Sequence, residues 1–249
     1  MEKDTSILVE IAVFTPNAAI VAQNAGAHRV ELCSGYSEGG LSPSAGTIEF
    51  VRKSISIPIH VMVRPRIGDF CYNADEKRCI LSDIDYCKNV GVNGIVFGAL
   101  TPLGLVDMEF TKQVVEFAYP MSVTFHRAFD LTQNLYNTLD DLIACGVNRV
   151  LTSGGKPNAL EGIDTIAALV KQAKGQIVVL PGGGITADNV QHLIKSTGVR
   201  EVHFSGKQLV KSQIRKSTNL SLTSCGEVSD LEWYEASGKK IKSLLSNIG

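Results

Sequence analysis

The feature that most constrains this chain is an alternation repeated eight times along it, a short β-branched and apolar run followed by a longer amphipathic one. Runs of these two lengths in strict order predict repeated β-α units around a parallel sheet. The predicted strands are Leu8 to Val13, Arg29 to Cys33, Ile59 to Arg64, Gly94 to Gly98, Ser122 to His126, Asn148 to Thr152, Ile177 to Leu180 and Glu201 to Ser205. Helices are predicted over roughly Asn17 to Asn24, Ala45 to Lys53, Asp75 to Val90, Glu109 to Ala118, Leu135 to Ala144, Ala159 to Lys174 and Ala187 to Ser196. Gly26, Gly91, Gly146, Gly175 and Gly198 each follow a helical run, where a left-handed cap is wanted. Thr15-Pro16, Ser42-Pro43-Ser44 and Thr186 with Asp188 mark helix starts. The chain has 249 residues, the length of one complete (β/α)8 TIM barrel, so the expected fold class is α/β with a single domain over 1–249. Rhythm fails only over 208–229, which reads as an irregular loop before a final helix at about Asp230 to Leu245.

Side chains of a strand alternate between faces, so one parity of each barrel strand fills the interior and the other meets the helices. Val9, Ile11 and Val13 suit the helix side, which turns Glu10 and Ala12 inward. The same rule turns Arg29, Glu31 and Cys33 inward, then His60, Met62 and Arg64, then Ser122, Thr124 and His126, and finally Glu201, His203 and Ser205. Strands four, six and seven do not resolve. An interior holding Glu10, Glu31, Arg64, His126 and His203 is more ionisable than packing requires, because buried charge is costly unless paired. Either Glu10, Glu31 and Arg64 form an ion-pair network that sets the register of the barrel, or the set serves chemistry at the C-terminal strand ends, where such barrels place it.

The loops after the strands favour chemistry. Arg64-Pro65-Arg66-Ile67-Gly68-Asp69 and His126-Arg127-Ala128-Phe129-Asp130 bring Arg66, Asp69, Arg127 and Asp130 to the same end. Gly183 and Gly184 after strand seven, with Ser205 and Gly206 after strand eight, suit a phosphate held by backbone N–H groups, the alternative being glycines required only for tight turns. Partners follow from charge: Lys and Arg number 24 against 25 Asp and Glu, a balance that supplies no field for nucleic acid or an anionic membrane. The N-terminal run is too short for a signal peptide or a spanning helix, and six cysteines without CxxC spacing read as reduced thiols, so a cytoplasmic location is expected. Cys79, Cys87 and Cys145 are expected in the core, whereas Cys225 falls in the irregular segment.

Taken together the motifs resemble the CutC family, named for copper homeostasis. The resemblance rests on Val30-Glu31-Leu32-Cys33-Ser34-Gly35 running into Glu38 to Ser44, on Val61 to Arg66 with Gly68-Asp69-Phe70, and on Phe97 to Thr101. It continues through Thr124 to Asp130, Arg149 to Gly154, Leu180 to Gly184 and Glu201-Val202-His203. What it implies is a cytosolic barrel associated with copper, with Cu(I) held between one cysteine on strand one and one on strand two. Cys33 matches the second metal position, but Ala12 occupies the first and has no donor atom. Cys71 and Met62 are the other soft side chains near that wall.

Three functions are thus expected to compete. A copper homeostasis protein follows from the resemblance, with Cu(I) binding weakened by Ala12. Residue chemistry points instead to an enzyme acting on a small anionic or phosphorylated metabolite, in which Arg64 and Arg66 hold the anion and His126, Glu10, Glu31 or Asp130 moves a proton. A non-catalytic homo-oligomeric scaffold is the third, and no motif speaks for it.

Overall fold

The computed structural model describes residues 7–214 and 229–248. Its first eight strands are Leu8–Val13 (β1), Arg29–Leu32 (β2), Ile59–Met62 (β3), Gly94–Phe97 (β4), Ser122–Phe125 (β5), Arg149–Thr152 (β6), Val178–Pro181 (β7) and Glu201–Phe204 (β8). They are hydrogen-bonded in parallel in the order β7-β6-β5-β4-β3-β2-β1-β8, and β7 packs beside β8 to bring the ring round. This is the (β/α)8 TIM barrel that the alternation predicts. Seven helices follow strands β1 to β7: Pro16–Asn24 (α1), Ala45–Ser54 (α2), Ala74–Val90 (α3), Met108–Ala118 (α4), Leu135–Ala144 (α5), Ile163–Ala173 (α6) and Val190–Thr197 (α7).

The helix layer explains why the parity rule works on β1 and β2. Val9, Ile11, Val13, Val30 and Leu32 are buried in one apolar cluster with Ala18, Ala22, Ile48 and Val51 of the flanking helices. Each such side chain contributes roughly 1.5–3 kcal/mol by leaving water, so register is fixed by the outer face and the inner face is free to carry polar groups. The helix starts are also sequence-encoded. Thr15 accepts from the Ala18 N–H ahead of Pro16, and Asn73 forms a capping box with Glu76.

Two elements depart from expectation. The seventh helix begins at Val190, later than Ala187, because Asn189 turns its amide back to the Gly184 carbonyl and the Thr186 N–H rather than leaving Thr186 or Asp188 to cap the helix. The segment expected to be an irregular loop starts instead as a strand, Lys207–Lys211 (β9), which pairs antiparallel with Glu232–Ala236 (β10). The final helix is accordingly shorter than the expected run from Asp230, covering Gly238–Ser246 (α8). Trp233 and Tyr234 favour a strand, and β10 is tied to the start of α1 where Glu235 accepts from Thr15 Oγ1 at 2.7 Å and Asn17 Nδ2 at 3.2 Å. Cys225 lies outside the described residues. Of the other cysteines, Cys87 and Cys145 are buried as expected and Cys79 is exposed.

Candidate active site

A cavity of about 1310 Å³ opens at the C-terminal ends of the strands. Below it, inside the barrel, lies a buried ionic layer. Arg29 Nε donates to Glu10 Oε2 at 2.5 Å and its Nη2 to Glu201 Oε2 at 2.6 Å; Arg149 reaches the same Glu201 carboxylate through Nε and Nη2 at 2.7 and 3.1 Å. Two guanidinium groups thus meet two carboxylates and their charges cancel. Burial alone would raise the carboxyls of Glu10 and Glu201, but His203 and Arg29 hold Glu10, and Arg149 and Arg29 hold Glu201, below the usual carboxylate range.

Glu10 does not line the cavity. It lies fully buried behind His203 and takes a 2.8 Å hydrogen bond at His203 Nδ1. The other face of that ring, Nε2, lies 3.8 Å from Glu31 Oε2 at the cavity floor. Burial and the charge of Glu10 raise the Glu31 carboxyl, while the carboxylates of Glu31 and Glu10 raise His203 against the opposing effect of its burial. The pair therefore holds a proton more tightly than either group would in water, and Glu31 Oε1 is buried without a hydrogen-bond partner.

The wall on the β3 and β5 side is built differently. Arg64 is 7% exposed, and its terminal nitrogens donate to three backbone carbonyls, those of Glu38, Gly40 and Gly68, at 2.8 to 3.1 Å. Among the described residues no carboxylate pairs with it, and its Nε–H is buried without an acceptor. His126 stands nearby with Nδ1 accepting from the Ala128 N–H and Nε2 unpartnered. Burial, reinforced by the positive charge of Arg64, depresses this imidazole to about 3, so it is neutral. The Phe70 ring covers both groups, 4.8 Å from the Arg64 guanidinium and 4.6 Å from the His126 ring.

Strand β4, which the parity rule leaves unresolved, makes room for these rings. A Cβ at Gly94 would come within 2.6 Å of the His60 ring and one at Gly98 within 2.5 Å of the His126 ring. Glycine at an inward position of the strand and at the residue just past its end is therefore a sequence signal for a bulky polar neighbour. The other missed residue of the interior is Arg149, on β6. Tyr36 and Tyr234 of the rim are also absent from the expected set, and nothing local in sequence connects Tyr234 of β10 with β9.

Other expected site residues divide. Arg127, Gly183, Gly184, Ser205 and Cys33 line the cavity with Glu31, Arg64, His126 and His203. The N–H groups of Gly183 and Gly184 have no acceptor among the described residues. Arg66, Asp69, Asp130 and Gly206 do not line it. Arg66 is engaged by Asp69 and by Glu76, the capping residue of α3, rather than being free for an anion. Asp130 accepts from the N–H groups of Ser153 and Gly155 and from Arg127, which makes it a clamp on the loop after β6.

The copper arrangement implied by the resemblance can be tested on the same wall. Ala12 and Cys33 both line the cavity, so one thiol stands where two are needed. Cys33 Sγ lies 3.5 Å from Glu31 Oε2, and burial together with that carboxylate pushes the thiol well above its usual range. Met62 packs in the same small cluster as Cys33. One thiol beside one thioether does not fit a two-thiolate Cu(I) site.

Comparison with known proteins places the chain. Residues 7–208 match the CutC family. A CutC family protein of Xanthomonas campestris is 45% identical over 206 residues, covering 83% of this chain and 86% of that one. The human copper homeostasis protein cutC homolog is 42% identical over 226 residues, covering 89% and 83%. The CutC structure from Streptococcus agalactiae superposes with a TM-score of 0.76 at 32% identity over 80% of this chain and 98% of that one. Thiamine phosphate pyrophosphorylase of Pyrococcus furiosus shares the barrel alone, at 13% identity, TM-score 0.59 and coverage of 98% and 96%. No helix among the described residues is long and apolar enough to cross a membrane. On sequence, on residues matched and on fold, this chain belongs to the CutC family.

Proposed function

We propose that the barrel is a cytoplasmic enzyme that binds a small anionic metabolite at Arg64 and moves a proton with the Glu31 and His203 pair. The observation that carries this reading is the buried Arg64 guanidinium, which among the described residues has backbone carbonyls but no carboxylate for partners and an unpaired Nε–H. An uncompensated buried cation is costly, and a ligand carboxylate or phosphate supplies the missing charge. Neutral His126, with Nε2 free, completes a place for an anion or its adjoining hydroxyl. Glu10 then acts as a positioning residue, fixing the orientation of His203 so that Nε2 points to Glu31 and the cavity. Proton transfer by a positioned group of this kind contributes about 10²–10⁴-fold.

The test is a mass-spectrometric survey of small anionic metabolites incubated with the protein, with Glu31→Gln and with Arg64→Met. The expected result is one anion consumed by the unaltered chain, with turnover reduced about 10²-fold or more in Glu31→Gln, and with binding lost in Arg64→Met. Equal consumption by all three proteins, or no anion bound by any, overturns the proposal.

Copper homeostasis remains the second reading, favoured by the names of the relatives and by the contact of Cys33 with Met62. In it Cu(I) is cargo held by one thiol and one thioether, a weaker donor set than two thiolates.

A further inference from the structure

The rim beside the loop that holds Arg64 carries a second cation that the reading above does not use. Lys207, the first residue of β9, lines the cavity, and its Nζ stands 4.3 Å from the ring centroids of both Tyr36 and Tyr234. No carboxylate pairs with it among the described residues. The cage is itself supported: Tyr36 packs edge-on against Phe14 with centroids 5.1 Å apart, and Tyr234 comes from β10, held by the ladder to β9 and by the contacts of Glu235 with α1. Two aromatic faces hold an ammonium without consuming its three N–H donors, so the group is fixed in place and still able to bind an anion. Pre-ordering of a long flexible side chain removes much of the entropic cost of that binding.

The loop after β7, the strand next to β8 in the ring, lines the same cavity and offers the unaccepted N–H groups of Gly183 and Gly184, and Arg127 reaches that loop's edge. Asp230 and Glu232 also line the cavity from the hairpin side, so bulk charge does not draw an anion to this rim. The caged ammonium and the backbone N–H groups do. Arg64 follows β3 and Lys207 follows β8, which are separated in the barrel by β2 and β1; three strand spacings put their backbones on the order of 12 Å apart. The cavity therefore has two cations at different depths, a buried guanidinium next to a neutral imidazole and a caged ammonium at the rim, with the Gly183 and Gly184 amides on the loop of the strand next to β8.

Resting on the anion reading of Arg64, we propose that the substrate is a small acid with an anionic group at each end, a carboxylate held at Arg64 and His126 and a phosphate held at Lys207 with the Gly183 and Gly184 amides. A planar, two-oxygen group suits the Arg64 wall, and a group with three anionic oxygens suits a point charge plus several N–H donors.

Calorimetric titration decides it, using glycolate, glycerate and gluconate against their phosphorylated forms phosphoglycolate, 3-phosphoglycerate and 6-phosphogluconate, with inorganic phosphate as control. The best phosphorylated acid should bind about 30-fold or more tighter than its unphosphorylated parent and than phosphate, since the second end binds at the effective concentration set by the first. Lys207→Met should reduce that acid to the affinity of its parent and leave the parent unchanged, and Lys207→Arg should restore part of the gain. Arg64→Met should weaken parent and phosphorylated acid alike. If no phosphorylated acid gains over its parent, or Lys207→Met leaves the gain intact in a protein with unaltered circular dichroism, the two-ended substrate is wrong while the Arg64 reading stands. Unchanged binding of every acid in Arg64→Met overturns both.

Discussion

The arginines inside this barrel behave in two opposite ways. Arg29, 3% exposed, and Arg149 are met by the carboxylates of Glu10 and Glu201. Arg64, 7% exposed, is met by carbonyl oxygens and leaves one N–H unused. The difference teaches how to separate architecture from function inside a barrel where both are ionic. Where charges cancel within the protein the layer is complete, and where they do not, a partner from outside has a place.

Substitutions sharpen that contrast, and Arg29→Met should have the largest effect. It leaves Glu10, in a fully buried position, with His203 as its remaining partner, and breaking a buried pair from one side costs about 3–5 kcal/mol. Arg64→Met should cost the fold less, about 1–2 kcal/mol, because cavity water can reach the three carbonyls it abandons. Urea unfolding of the two variants checks the order; equal losses would erase the distinction between the paired layer and the open wall.

A pH series separates the two regions again. His60, depressed by burial, and His126, depressed by burial and Arg64, each lie near 3 in the folded protein, against about 6.5 when unfolded. Folded protein then binds fewer protons than unfolded protein between those values, so stability rises with pH across that window and is lost as pH falls from about 6.5 towards 3. Each histidine contributes a slope of up to about 1.4 kcal/mol per pH unit. His126→Asn should remove one proton's worth of this slope, read from denaturation midpoints between pH 4 and 7. An unchanged slope would show that His126 is not neutral beside Arg64.

The smallest expected effect concerns copper. Ala12→Cys supplies a second inward thiol and should tighten Cu(I) binding about tenfold or more in competition with a chelator, a change of about 1.4 kcal/mol. Tight one-to-one binding by the unaltered chain that disappears in Cys33→Ser would instead favour the cargo reading and point to Met62 as the second ligand.

How much of this was legible in the sequence depends on which force set each feature. Strands β1, β2, β3, β5 and β8 alternate apolar and polar residues, so Glu10, Glu31, Arg64, His126 and His203 could be assigned to the interior before any coordinates. Strand β4, Gly94–Phe97, is apolar apart from Gly94, and Gly94 and the following Gly98 acquire meaning only when the rings of His60 and His126 are seen against them. Depth was not legible either: parity assigns Glu10 and Glu31 to the same face and says nothing of His203 lying between one of them and the cavity. Arg66 looked equivalent to Arg64 because loop cations carry no periodicity, yet Asp69 three residues on and Glu76 in the next helix claim it locally. The β9 and β10 ribbon joins residues more than 20 positions apart, and its few residues carry no pattern strong enough to announce a partner at that distance.

The clasp between Glu235 and the start of α1 spans some 220 positions of sequence, and it gives the molecule an order in time. A chain made from its N-terminus holds all eight barrel strands before Trp233, Tyr234 and Glu235 exist, and domains begin to organise while synthesis proceeds. Tyr234 is therefore among the last parts of the rim to be made, and a chain cut short before Trp233 keeps all eight barrel strands but lacks one wall of the cage around Lys207.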